Sequence, residues 1–282
     1  MSNATAPAAT EVPSPDAPFR LDLDAYLARI GWSGRRGASV GALRPGPRAH
    51  AHALPFENLD SPRGIAPSLA LPDLEAKLVR SRRGGYCFEH NTLFAAALEA
   101  LGFEVTRLAA RVRVGDPTAI RPRTHKTLLV GVPGDPARHL ADVGFGTNGA
   151  LLEAIPLTAG PETHDGDRRH RLLREPHHGL EDLWVLQAFL DGAWRDQYAF
   201  NRDPWEPADY EAMNWHVATN PRSPFRHTLR AQRTRPDAHL SLMGRTLTVT
   251  RADGSREERE LADEAEVRRV LTTDFGIDVP AA

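Results

Sequence analysis

The chain has 282 residues, a formal net charge of -2 and 41% hydrophobic residues, which suits one large or two to three small globular domains. With 35 Lys and Arg against 37 Asp and Glu, no basic excess points to nucleic acid and no acidic tail suggests a solvating segment. Its single cysteine excludes an intrachain disulfide and fits a reducing cytosol.

Residues 1–18 are rich in Ala, Thr, Ser and Pro, so a disordered tail is expected there, without the basic start and apolar core of a signal peptide. No apolar run approaches the roughly 20 residues of a membrane-spanning helix. The expected location is cytoplasmic, with no membrane partner. Leu23, Tyr26, Leu27 and Ile30 recur at helical spacing, and Gly31 supplies a stop. A second helix between Val40 and Ala53 is expected to be interrupted by Pro45 and Pro47. Leu54 to Asp60 reads as a turn-rich connector. Helical spacing resumes through Leu71, Leu74 and Leu78, with Pro72 tolerated in the first turn. Arg82 to Tyr86 breaks that run. The next helix starts at Cys87, carries Phe94, Ala97, Leu98 and Leu101 as its buried stripe, and stops at Gly102.

The period then changes. Val105 to Val114, Lys126 to Val132 and His139 to Phe145 are strand-like. Gly160 to Gly179, polar and rich in His and Arg, reads as a loop. Trp184 to Leu190 and Trp194 to Phe200 form a hairpin across Asp191-Gly192. These pieces predict a mostly antiparallel sheet or small barrel. Pro207 to His216 is helix-like. Leu240 to Arg251 and Arg256 to Leu261 read as the two strands of a second hairpin, and Asp263 can cap a last helix over Glu264 to Thr273. The expected division is residues 19–102 helical, 103–203 β and 204–282 mixed.

One stretch stands out chemically: Arg83-Gly84-Gly85-Tyr86-Cys87-Phe88-Glu89-His90-Asn91. Two glycines expose a cysteine at a helix N-terminus, where unpaired N–H groups and the macrodipole favour a thiolate. His125 and Asp142 follow in neighbouring strand-like runs. A thiol, an imidazole and a carboxylate in that order suggest a nucleophile, its base and the group that orients the base. Each residue also has a plainer reading: a small buried hydrophobe, a satisfied histidine, a turn aspartate. A zinc site on Cys87, His90 and His125 competes, though zinc normally takes more thiolates or an open three-ligand set. His50 and His52, and the pair His177 and His178, have no thiol or carboxylate close by.

That nine-residue block resembles the active-site signature of the arylamine N-acetyltransferases. Pro55-Phe56-Glu57-Asn58-Leu59, Arg123-Thr124-His125 and Asp142-Val143-Gly144-Phe145-Gly146 resemble further stretches of the family. So do Asp209-Tyr210-Glu211 with Asn214, Ser223-Pro224-Phe225 and Phe275-Gly276-Ile277. The resemblance implies an α+β fold: an N-terminal helical bundle, a central antiparallel β-barrel and a C-terminal α/β lid around a cysteine-protease-like Cys-His-Asp core. It implies Cys87 as the acyl-accepting nucleophile, His125 as base and Asp142 as its orienter. The implied reaction is ping-pong, with acetyl-CoA as donor and an arylamine, hydrazine or N-hydroxyarylamine as acceptor. No metal is implied, and the oligomeric state stays open.

Gly144-Phe145-Gly146 is a strand-ending turn by itself. In the family it borders the cleft, so it becomes a candidate contact for CoA, with Phe145 equally suited to pack on the acceptor ring. Arg83 reads as an anchor for the turn. Pro45-Gly46-Pro47 departs from the family pattern of a helix carrying a histidine pair, which puts that helix in doubt. An amide synthase on the same fold, a Cys-His-Asp hydrolase or amidase, and a non-enzymatic binding module are the alternatives.

Overall fold

The computed structural model describes residues 19–165 and 168–280; the expected disordered tail lies outside them. The chain begins with α1 (Leu23–Arg29), α2 (Val40–Leu43) and α3 (Gly46–Ala53). Asp22 caps α1 by accepting the Ala25 amide at 2.9 Å. The run from Val40 to Ala53 is interrupted as expected, between α2 and α3 at Pro45, but the second piece is a helix in its own right. Pro45 occupies its N-cap position and Pro47 its first turn, where no N–H is required, so the helix doubted from the sequence is present. The connector contains a two-residue strand, β1 (Phe56–Glu57), and α4 (Leu71–Leu74) runs on into a π-helical turn over Glu75–Arg80. The helix α5 (Cys87–Ala100) follows. Tyr26, Leu43, Leu74, Leu78, Phe94 and Leu98 make the core of this part.

Eight strands then form one antiparallel sheet: β2 (Glu104–Val112), β3 (His125–Gly131), β4 (Arg138–Ala141), β5 (Ile155–Pro156), β6 (Glu162–Asp165), β7 (Arg168–Glu175), β8 (Leu183–Leu190) and β9 (Ala193–Pro204). Their order is β5-β4-β3-β2-β9-β8-β7-β6. The chain passes from one sheet edge to the other between β5 and β6, and Ala159 bridges to Leu172 on the way, so the sheet curls nearly closed. Leu108, Leu140, Leu172, Leu186, Tyr198 and Phe200 meet inside it. Strand β3 is buried along its whole length. Leu128 and Val130 pack on the helices while Leu129 faces the barrel interior, which is why Leu128-Leu129-Val130 reads as a continuous apolar run.

The stretch expected as a loop, Gly160 to Gly179, is instead mainly the β6–β7 hairpin, with Thr163 opposite His170. Only His170 and Leu172 of β7 are buried. Its arginines lie over aromatic faces of the next strands: Arg171 over Trp194 at 4.3 Å and Arg174 over Trp184 at 4.8 Å. The β8–β9 hairpin turns on Asp191 (φ 50°) and Gly192 (φ 75°), both left-handed as a two-residue turn of this kind requires.

The last part holds α6 (Pro207–Thr219), α7 (Pro224–His227), β10 (Arg230–Thr234), β11 (Ala238–Met243), β12 (Thr246–Arg251), β13 (Arg256–Glu260) and α8 (Glu264–Thr273). The run Leu240 to Arg251 is two strands rather than one, divided at Gly244 (φ 60°). The sheet order is β1-β10-β11-β12-β13, so β1 leaves the helical part to edge this sheet, with Phe56 opposite Gln232. Helix α8 covers it through Val267, Val270 and Leu271, joined by Phe275 and Ile277. Among the described residues, no helix is long and apolar enough to cross a membrane.

Candidate active site

The turn before α5 is built by contacts that only glycine allows. A Cβ on Gly84 would lie 1.8 Å from the Pro55 carbonyl oxygen. The Glu57 amide donates to the Gly85 carbonyl at 2.7 Å, tying the turn to β1. Glu89 Oε2 accepts the Tyr86 amide at 3.0 Å, satisfying a donor at the helix start. Arg83 is an anchor of this turn: Nε reaches Glu57 at 2.7 Å and Nη2 reaches Asp60 at 3.1 Å. Lys77 joins Asp60 and Glu89, each at 2.7 Å. Burial opposes the Lys77 charge, but Glu89, Glu57 and Asp60 together raise its pKa.

Cys87 is thereby held at the first turn of α5, 6% exposed, with Sγ 3.6 Å from the Thr124 carbonyl oxygen. His125, the first residue of β3, is brought beside it. His125 Nε2 bonds Asp142 Oδ2 at 2.6 Å, which leaves Nδ1 for the thiol. Asp142 follows β4, and the antiparallel pairing of β3 with β4 supplies the adjacency. Burial alone would lower the His125 pKa. The Asp142 carboxylate, with a smaller contribution from Cys87, raises it instead to about 10. Burial would likewise raise the Asp142 pKa, but His125, the Asn91 amide and the Gly144 N–H hold it below its ordinary value.

Asn91 is the residue that sequence reasoning passed over. It lies one turn beyond Cys87 on α5, and its Nδ2 donates to Asp142 Oδ1 at 2.9 Å and to the Lys126 carbonyl at 2.7 Å. Its Oδ1 accepts the Val143 amide at 3.2 Å. The helix that carries the thiol therefore also fixes the carboxylate. The available signal was its i+4 spacing from the cysteine. Tyr198 was also missed; its ring centroid lies 4.8 Å from that of His125.

Gly144 and Phe145 line the cleft. A Cβ on Gly144 would be 2.7 Å from Cys87 Cα, so this loop lies directly against the cysteine. The Phe145 ring stands edge-on to His125 at 5.0 Å between centroids. Gly146 (φ 73°) abuts Phe56 instead and is not among the residues lining the cleft.

His90 does not join Cys87 and His125 in a ligand set. Its Nδ1 is 2.7 Å from His50 Nε2, and its Nε2 is 3.2 Å from the Pro55 carbonyl oxygen. His50 Nδ1 in turn lies 2.8 Å from Tyr26 Oη. Since the Pro55 oxygen can only accept, His90 Nε2 carries the hydrogen. The neutral chain then runs Tyr26 to His50 to His90 to Pro55 with every position satisfied. Burial lowers the pKa of both rings, that of His90 to about 4.

Comparisons with known proteins identify the family to which this fold belongs. A family model described as N-acetyltransferase matches residues 39–282. An arylamine N-acetyltransferase of Mycolicibacterium smegmatis is 41% identical over 262 residues, 92% of this chain and 93% of the relative. The chain belongs to the arylamine N-acetyltransferase family, and it is an acyltransferase. The solved arylamine N-acetyltransferase of Nocardia farcinica superposes with a TM-score of 0.86 at 43% identity, covering 94% of this chain and 95% of that one. A second family structure, from Mycobacterium marinum in complex with CoA, superposes with a TM-score of 0.84 at 37% identity, covering 92% and 95%. The α+β fold expected from the resemblance is the family's fold.

Proposed function

We propose that the protein transfers an acetyl group from acetyl-CoA to an arylamine, hydrazine or N-hydroxyarylamine through an acetyl-Cys87 intermediate. The observation that carries this reading is the line Cys87, His125, Asp142 at the cleft, with the imidazole fixed through a 2.6 Å bond to a buried carboxylate. The reactive pair is the Cys87 thiolate beside the His125 imidazolium. The thiolate attacks the acetyl carbonyl carbon, the bond from carbon to the CoA sulfur breaks, and His125 gives its proton to the departing CoA thiolate. In the second half, the amine nitrogen attacks the new thioester. Its proton passes to His125, the bond to Cys87 Sγ breaks, and the ion pair is restored.

The energetics favour such a cycle. Two thioesters are nearly equal in energy, so the first transfer needs little driving force. Aromatic amines are neutral at pH 7 and attack without first losing a proton. Gly144 and Phe145 are proposed as the loop against which the donor and the acyl group lie, and Gly146 as support through Phe56. The CoA complex of the Mycobacterium marinum relative supports acetyl-CoA as the donor here.

Intact mass of the protein after incubation with acetyl-CoA alone tests the reading. A gain of one acetyl group is expected, and it disappears in Cys87→Ala. Acetyl transfer persisting in Cys87→Ala would end it. Rapid loss of the adduct in the absence of amine would favour a hydrolase, and acylation only from a carrier protein would favour an amide synthase.

A further inference from the structure

The cleft at Cys87 encloses about 660 Å³. Among the described residues, its walls include Phe56, Phe145 and Phe225 and three arginines, Arg121, Arg222 and Arg230, but no carboxylate. The arginines are not equivalent. Arg222 is exposed. Arg121 donates to the Val112 and Val114 carbonyls at 3.3 and 3.1 Å. Arg230 is half-buried, and its Nε is buried with no hydrogen-bond partner among the described residues.

Arg230 opens β10 two residues before Gln232, so both project from one face of the strand, and both line the cleft. Its backbone is pinned where the Arg230 amide donates to Asn58 Oδ1 at 2.6 Å. Its guanidinium lies over the Phe225 ring, 5.5 Å from the centroid. Burial lowers its pKa, yet an arginine remains charged at neutral pH. A cation with an unsatisfied N–H in an apolar wall is costly unless an anion arrives to meet it.

We propose that Arg230 is the residue that selects the acceptor, binding a carboxylate on the ring of an aromatic amine so that anionic arylamines are favoured over neutral ones. The inference rests on the acetyl-transfer reading above. An aromatic ring fits the apolar wall formed by Phe225 and its neighbours, with its amine at the thioester and its anionic substituent at Arg230. The diphosphate of CoA, strongly hydrated, suits the exposed Arg222 better than a buried Nε.

The test compares kcat/KM for meta- and para-aminobenzoate with that for the matching aminobenzamides, which keep the ring and the amine but lack the charge. Arg230→Met is expected to lower the anionic-to-neutral ratio about ten- to hundredfold, the worth of a charge-assisted hydrogen bond. The loss should fall mainly on KM, and Arg230→Lys should restore most of the ratio. Both substrates are read on one preparation, so any loss of folded protein cancels. An unchanged ratio in Arg230→Met overturns the proposal. So does an unchanged ratio with a raised KM for acetyl-CoA, which assigns Arg230 to the donor phosphates. Wild-type protein that takes no acetyl group from acetyl-CoA fails at an earlier step and overturns the acetyl-transfer reading along with the inference.

Discussion

His125 with Asp142 and His50 with His90 are both buried pairs, bonded at 2.6 and 2.7 Å, and none of the four residues is more than 2% exposed. Both pairs touch α5, through Asn91 in the first and His90 itself in the second. Yet their imidazoles are shifted in opposite directions. Burial pushes every one of these imidazoles toward neutrality. Only His125 faces a carboxylate, and that one partner outweighs the loss of water. The contrast teaches that burial sets the direction a histidine drifts, while the partner decides where it ends. One pair is suited to moving a proton. The other is suited to holding the backbone at Pro55, whose oxygen sits against the Gly84 turn.

Asp142→Asn attacks that contrast most directly and carries the largest expected effect. It keeps the side-chain size but removes the charge, so His125 falls under burial alone. We expect kcat/KM to drop on the order of a thousandfold or more, and Cys87 alkylation at mildly acidic pH to slow. Activity within tenfold of wild type would show that the carboxylate is not what sets the imidazole.

The second pair predicts stability rather than rate. His90 has its folded pKa lowered from 6.5 to about 4, so the unfolded chain binds the extra proton first. Its contribution is present above pH 6.5 and is lost as the pH falls toward about 4. His125 has the opposite sign: raised from 6.5 to about 10, its contribution is full below pH 6.5 and is lost as the pH rises through about 10. His90→Phe should cost about 1–3 kcal/mol in urea unfolding at pH 7, because His50 loses its acceptor. It should also flatten the acid limb of stability against pH while leaving the alkaline limb in place. A variant as stable as wild type with an unaltered acid limb would refute the neutral chain.

His52→Gln gives the smallest effect. His52 lies two residues from His50 on α3 but is only half-buried. A change within about 0.5 kcal/mol is expected from the same unfolding measurement. A loss as large as that of His90→Phe would mean that the sharp division between the two histidines of α3 is wrong.

Much of this molecule was legible before its structure. The helix beginning at Cys87, the buried run of β3 and the Asp191-Gly192 hairpin follow from spacing and turn chemistry. Strand β7 did not, because Arg168, Arg169, Arg171 and Arg174 outnumber the two inward residues His170 and Leu172. What makes such a strand viable is the aromatic surface of β8 and β9, which only the pairing of the strands lays beneath its arginines. Pro45 and Pro47 were half legible: the break between α2 and α3 follows from them, but the helix start they also make does not. A proline breaks a helix interior but suits a helix start, and only the fold shows which position each occupies.

The sequence by itself determined the candidate residue types, their order and the family. A lone cysteine after two glycines, a histidine and an aspartate are local facts, and the motif around them is contiguous. Tertiary structure alone decided how those groups are held and charged. Asn91 reaches Asp142 across 51 positions, His50 meets His90 across 40, and Phe225 lies beneath a guanidinium whose Nε has no partner among the described residues. Hydrogen bonds and charges act through distance and solvent exclusion, and neither is written in the spacing of residues along the chain.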